Sequence, residues 1–290
     1  PLTMITIPGG RMPMFVIFAL AVLAASCGNG PGEELPSGPS ATGHFDPGHS
    51  GWNRLLGKYV HPPGQVDYRG LLKEKPALEA YLDGLRSVRM EDFRKWNAAP
   101  KEAFWINVYN AFAVKLVVDH YPVASIRDIG SLLHSVFDRE FIPLEHLVPG
   151  RAPGEPLSLN DVEHDLLPGV SPTPLFHFAI VCASWSCPQL RAEAYLPGHL
   201  EGQLEDQARK FLANTSKNSQ NTRDGELEVS KIFHWSQDEL EKYPGGIPGI
   251  LKKFGPPGVA DAPGLPDVRL TFRDYDWSLN EWKPARSKNR

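Results

Sequence analysis

The 290-residue sequence predicts a single α+β domain in which helices pack on a small, mostly antiparallel sheet. Three observations carry that expectation. Residues 101–120 (KEAFWINVYNAFAVKLVVDH) are apolar on nearly every side, as in a helix buried all round. Residues 200–212 are amphipathic at helical period. Short apolar stretches of strand character lie between the helical ones with no regular strand–helix–strand rhythm and no internal repeat.

The N-terminal forty residues are unsuited to a core. Leu2-Thr3-Met4-Ile5-Thr6 resembles the start of the β-galactosidase α fragment carried by cloning vectors, so residues 1–10 are set aside as a vector-derived leader. Met14 to Ala25 (MFVIFALAVLAA) is an apolar run of signal-peptide length that follows Arg11. It ends in Leu23-Ala24-Ala25-Ser26-Cys27-Gly28, an order that resembles a lipobox, and residues 11–27 are read as a lipoprotein signal segment ending at a lipidated Cys27. An ordinary secretory signal is the alternative reading. Residues 28–48 are rich in Gly, Pro and Ser and read as a tether. The globular domain is expected over 49–290. Beyond residue 25 no apolar run reaches the roughly 18 to 20 residues that a membrane span needs. The formal charge of −4 and the lack of a basic patch give no footprint for nucleic acid. The expected partners are a small-molecule or peptide substrate and, through Cys27, a membrane in the cell envelope.

Within the domain, Leu71 to Leu85 has helical spacing, and Tyr121-Pro122 ends the buried helix before it. Asn107 and Asn110, three apart on one face of that helix, must find partners, either by fastening neighbouring loops or by lining a site. Phe137 and 141–144 read as short strands. Ser158 to Leu167 reads as a short helix with Ser158 as N-cap and Asp161 at the third position. Glu163 falls in its apolar stripe and His164 on the flank, and a carboxylate so placed needs a partner. Residues 175–181 (LFHFAIV) read as a buried strand with His177 on one face. A helix is expected from Pro188, with Cys187 as its N-cap. Residues 229–233 and 268–275 read as strands, and 238–254 as a broken helix.

Chemistry concentrates between His177 and Cys187. A thiol at a helix N-terminus has a lowered pKa and a larger thiolate fraction. Cys187 as nucleophile, His177 as general base and Glu163 as the orienting group make a triad of cysteine-peptidase-like type. His164 is a reserve base and Cys182 a reserve nucleophile. Asn107 or Asn110 could replace the carboxylate or donate to an oxyanion. Other readings stand beside this one. With Cys27 lipidated, Cys182 and Cys187 are the remaining pair of the three cysteines, and an oxidising compartment favours a disulfide. His177 could equally be a satisfied core histidine. The set Cys182, Cys187, His177 and His164 has zinc-ligand types at unusual spacing. The leading reading needs no metal and no cofactor.

Six motifs occur in order: AFWINVYNA (103–111), SLNDVEHDLL (158–167), HFAIVCASWSCPQLRAEAY (177–195), QLEDQARKFL (203–212), VSKIFHW (229–235) and DYDWSLN (274–280). Together they resemble the domain of unknown function family 547, over about residues 52–282. The resemblance implies that Glu163-His164, His177 and Ser186-Cys187-Pro188 are shared polar features, and that an exported bacterial protein is expected. The family's Glu-His is commonly followed by Gly-Ile-Leu-Arg, where this chain has Asp165-Leu166-Leu167-Pro168, so an anion-binding arginine is missing here. The functional expectation is an exported hydrolase or acyl transferase acting on an ester, amide, or activated phosphoryl or sulfuryl ester. The alternatives are a non-catalytic envelope binding protein with a Cys182–Cys187 disulfide, and a metal-dependent hydrolase.

Overall fold

Helix α5 (Ala98–His120) is the axis of the molecule, and sixteen of its residues, from Glu102 to Val118, are buried. It has no polar stripe because neighbours cover every side, which its uniformly apolar sequence anticipates. The computed structural model describes residues 44–131 and 135–284, and these lie in one compact unit. The expected leader, signal segment and tether as far as residue 43 therefore lie outside the described residues. The last part of the expected tether belongs to the domain: the Phe45 ring lies 5.3 Å from that of Trp96 and 5.6 Å from that of Phe104.

Four helices precede α5: α1 (Ser50–Tyr59), α2 (Tyr68–Lys73), α3 (Lys75–Arg86) and α4 (Met90–Lys95). The single helix expected over 71–85 is two, broken at Glu74, because Pro76 sits in the first turn of α3 and cannot donate an amide to the turn before. α2 and α3 pack on α5, and α1 on α3. Between α1 and α2 lies an antiparallel hairpin, β1 (Val60–His61) and β2 (Gln65–Val66). Its turn contains Gly64 at φ 88°, where a Cβ would come within 2.7 Å of Gln189. Only glycine suits both that angle and that contact.

After α5 the chain is irregular. The expected strands near 137 and 141–144 are a 3-10 turn (Val136–Asp138) and a single bridge between Ile142 and Leu157. The 158–167 segment is helical and capped as expected. Asp161 accepts from the Ser158 amide at 2.6 Å, and Ser158 Oγ accepts from the Asp161 amide at 3.0 Å. Residues Asp161–Leu166 form a widened π turn that runs into α6 (Leu167–Val170). Pro168 accounts for the widening: it has no amide for the His164 carbonyl, and its ring would clash there in a regular α turn.

Three further corrections concern the segments around the cysteines. The strand expected over 175–181 is a 3-10 turn, Pro174–Phe178, followed by extended chain. No helix follows Pro188; the next is α7 (Leu200–Leu212). The strand expected over 229–233 is β3 (Glu226–Val229) followed by α8 (Ile232–Trp235). The broken helix is α9 (Gln237–Leu240) and α10 (Gly246–Phe254), with α11 (Pro257–Ala260) beyond it. The expected closing strand is β4 (Arg269–Phe272). β4 pairs with β3 in parallel, so the described strands form two small two-stranded sheets, one of each sense, rather than one mostly antiparallel sheet. The class is α+β.

Candidate active site

Asn107 and Asn110 organise the site without entering it. Asn110 donates to the Ala179 carbonyl at 3.0 Å and accepts from the Val181 amide at 2.8 Å. Asn107 does the same for Tyr195, at 2.8 and 3.0 Å. Each buried amide takes the place of a neighbouring strand, Asn107 for one residue of loop backbone and Asn110 for two. Asn107, expected among the site residues, does not line the cavity: both ends of its amide are engaged with main chain, and it is fully buried. Gln207 of α7 helps from the other side, donating to the Gln189 carbonyl at 2.7 Å.

The loop from Cys182 to Cys187 is held by the C-terminal DYDWSLN motif. The Trp185 amide donates to Ser278 O at 2.7 Å, Asn280 N to Ala183 O at 3.0 Å, and Asp276 N to Ser186 Oγ at 2.9 Å. Asn280 in turn accepts from the buried Tyr68 hydroxyl at 2.7 Å. Ala183 has φ 61°. A non-glycine residue in that left-handed region carries strain that the surrounding hydrogen bonds must hold in place.

Cys182 and Cys187 are joined as a disulfide with Cα atoms 6.2 Å apart. The sulfurs differ in surroundings. Cys187 is 4 % exposed, and its Sγ accepts from the Cys182 amide at 3.0 Å and the Tyr275 hydroxyl at 3.3 Å. Cys182 is half-buried, with its Sγ 3.0 Å from Ser184 Oγ. The helix dipole expected behind Cys187 is absent, because the chain after Pro188 is loop; these two donors stand in its place.

His177 is fully buried between two carboxylates. Its Nε2 lies 2.5 Å from Glu239 Oε2 and its Nδ1 3.6 Å from Glu163 Oε1, with Ser236 Oγ 3.2 Å from Nδ1. Burial pulls the imidazole pKa down, but the carboxylates Glu163 and Glu239 outweigh it and leave the ring above its ordinary value. Glu239 is raised by burial and lowered more by its bond to His177, and ends below the usual carboxylate range. Glu163 also accepts from the Tyr109 hydroxyl at 3.0 Å. Burial, followed by the charge of Glu163, pushes that phenol well above its ordinary pKa.

These groups meet at one cavity of 190 Å³ lined by Glu163, His164, His177, Cys182 and Cys187. Five of the six expected site residues therefore converge, although they lie on a π turn, a 3-10 turn and a loop. His164 is exposed at the rim. One wall is aromatic: the Trp235 and Tyr275 rings are 4.7 Å apart, and Tyr275 and Trp277 are 4.5 Å apart. The sequence reading missed Glu239, Tyr109, Tyr275 and Ser236. Tyr109 and Tyr275 lie inside the INVYNA and DYDWSLN motifs and could have been found there; Glu239 sits in an ordinary charged helix turn and had no signal. Among the described residues no group of three or more His, Cys, Asp or Glu is placed to hold a metal ion. No described helix is long and apolar enough to cross a membrane.

The convergence is matched by a family likeness. Residues 93–212 match the family model described as "Protein of unknown function, DUF547". The likeness to that family covers this stretch alone. It contains the first four motifs, and with them Tyr109, Glu163, His177 and both cysteines. The last two motifs lie beyond it, yet Trp235, Tyr275 and Trp277 complete the wall of the cavity. No curated protein and no solved structure matches the chain.

Proposed function

We propose that the cavity is the active site of an exported hydrolase or acyl transferase in which the dithiol form of the protein is the working form. Cys187 is the nucleophile in a cysteine-peptidase-like arrangement, and Cys182 is its reserve. The observation that carries this reading is the shared cavity: sulfur, imidazole and carboxylate face the same 190 Å³. Two hydrogen-bond donors already aimed at Cys187 Sγ suit a thiolate, which accepts such bonds more strongly than a thiol. His177, with its raised pKa, suits the role of proton carrier: as imidazolium it stabilises the thiolate and then gives its proton to the leaving group. Glu239 and Glu163 orient the ring from opposite sides, the role that a third group plays in such triads. The aromatic wall favours substrates with an apolar or planar acyl or leaving group. The lipid anchor at Cys27 would hold the domain at a membrane surface in the envelope.

The test is turnover of a panel of p-nitrophenyl carboxylate, phosphate and sulfate esters by the reduced protein. Cys187→Ala is expected to lower kcat by about 10³-fold or more, as for loss of a covalent nucleophile. Full activity in that variant ends the proposal.

One observation favours a second reading. The joined sulfurs fit a non-catalytic envelope protein that binds a peptide or cell-wall fragment in the aromatic cavity. Thiol titration of the folded, mildly reduced protein separates the two: a fast-reacting thiol supports the enzyme, and two sulfurs that stay inert support the binding protein.

A further inference from the structure

A disulfide that serves only as a staple needs neither an open face nor hydrogen-bond donors on one of its sulfurs. Cys182–Cys187 has both. The half-buried Cys182 and the buried Cys187 both line the cavity. Cys187 Sγ takes the Cys182 amide at 3.0 Å and the Tyr275 hydroxyl at 3.3 Å. Behind it, Lys217 is 8 % exposed and donates from Nζ to the Cys187 carbonyl, bringing a positive end to the same residue. Burial lowers that ammonium's pKa to about 8, so it still carries charge at neutral pH. Tyr275 Oη also lies 3.4 Å from Cys182 Sγ, and Ser184 Oγ lies 3.0 Å from it, so the two sulfurs differ by the Cys182 amide donating to Cys187 Sγ and by the greater exposure of Cys182. The hydrolytic reading assigns no role to Lys217.

We propose that the cavity is a thiol–disulfide exchange site that takes a small dithiol as its reductant. The thiolate of the incoming molecule enters by the cavity and attacks Cys182 Sγ, the more exposed sulfur. A bond forms between the incoming sulfur and Cys182, and the bond between Cys182 and Cys187 breaks. The electron pair leaves on Cys187 Sγ, where the Cys182 amide and the Tyr275 hydroxyl receive it, with the Lys217 ammonium at the carbonyl of the same residue. The second thiol of the reductant, as thiolate, then attacks its own mixed-disulfide sulfur and displaces Cys182 as thiolate. Two electrons pass to the protein disulfide, the dithiol closes to a cyclic disulfide, and its two protons are taken up by the two cysteines or by solvent. The amide donor on Cys187 Sγ and the greater exposure of Cys182 fix the direction of attack. The exchange goes beyond the hydrolytic reading and does not depend on it, although it yields the reduced Cys187 which that reading requires.

The experiment uses the full, oxidised protein in native buffer, with dithiothreitol as the dithiol and glutathione as a monothiol that stops at the mixed disulfide. Alkylation followed by peptide mass spectrometry locates the adduct. The expected result is reduction without denaturant, glutathione attached at Cys182, and free thiol at Cys187. Tyr275→Phe is expected to slow reduction about tenfold, the effect of losing one hydrogen bond to a charged group. Lys217→Met is expected to slow it in the same direction. A disulfide that opens only under denaturing conditions, or an adduct found on Cys187, overturns the inference; so does an unchanged rate in folded Tyr275→Phe, with folding checked by near-ultraviolet dichroism. The adduct position needs no variant and decides the point even if a variant does not fold. No ester enters the assay, so a protein that exchanges but hydrolyses nothing keeps this inference and loses the other, and the converse also holds.

Discussion

Two regions of the molecule bury polar side chains within a few residues of one another, and they use them in opposite ways. On α5, Asn107 and Asn110 direct both ends of each amide to loop backbone, at Tyr195 and at Ala179 and Val181. Around the cavity, Glu163 pairs with His177 and the two cysteines with each other, and all four still face open space. The difference teaches that a buried polar residue is structural when its hydrogen-bonding capacity is used up by the fold, and a candidate for chemistry when some of it is turned toward a cavity.

The comparison can be broken first at the asparagines. Asn110→Ala leaves a buried carbonyl and a buried amide without partners and is expected to cost about 2 to 4 kcal/mol of stability. Denaturant unfolding measures it, and a loss below about 0.5 kcal/mol, within the range of an ordinary surface change, would mean that the loop does not depend on α5. Glu163→Gln probes the other region and is expected to do the reverse. It should lower turnover about 10- to 100-fold with little change in unfolding midpoint, since a general acid–base partner is lost while the amide can still accept from Tyr109. Equal effects of the two variants on stability would erase the distinction between the regions.

A finer test concerns His177. Its folded pKa lies above the ordinary 6.5, so the native state holds this proton more tightly than the unfolded chain. The stability that results is fully present below about pH 6.5 and is lost as pH rises through the folded value. Glu239→Gln removes the nearer carboxylate, so the ring should titrate lower by nuclear magnetic resonance and that alkaline loss should shrink. An unchanged titration would assign the shift to Glu163 alone. The smallest effect is expected at Ala183, where glycine relieves the left-handed strain at φ 61°, and stability should rise by about 0.5 to 1 kcal/mol.

Much of the helical frame was legible in the sequence. The extent of α7, the all-round burial of α5 and the Ser158–Asp161 cap follow from period, apolarity and capping chemistry, all of which act locally. The chain around the cysteines was not legible, for a related reason. LFHFAIV is apolar at every position but His177, so it carries no period to separate a strand from a turn, and Pro174 together with the distant Asn110 decided the outcome. Pro188 suggested a helix start, but the following residues are fastened by Gln207 and pressed against Gly64 from other parts of the chain. The site residues were legible as types, because Glu163, His177, Cys182 and Cys187 are costly groups in apolar surroundings. Their partners Glu239 and Tyr275 come from 60 to 90 positions away, which no local pattern encodes.

The most direct measurement is alkylation of the folded, reduced protein with iodoacetamide while esterase turnover is followed on an activated ester. Turnover should appear only after reduction and should fall in proportion to carbamidomethylation of Cys187. Turnover that is the same before reduction and after both sulfurs are blocked would contradict a sulfur-based site in this cavity.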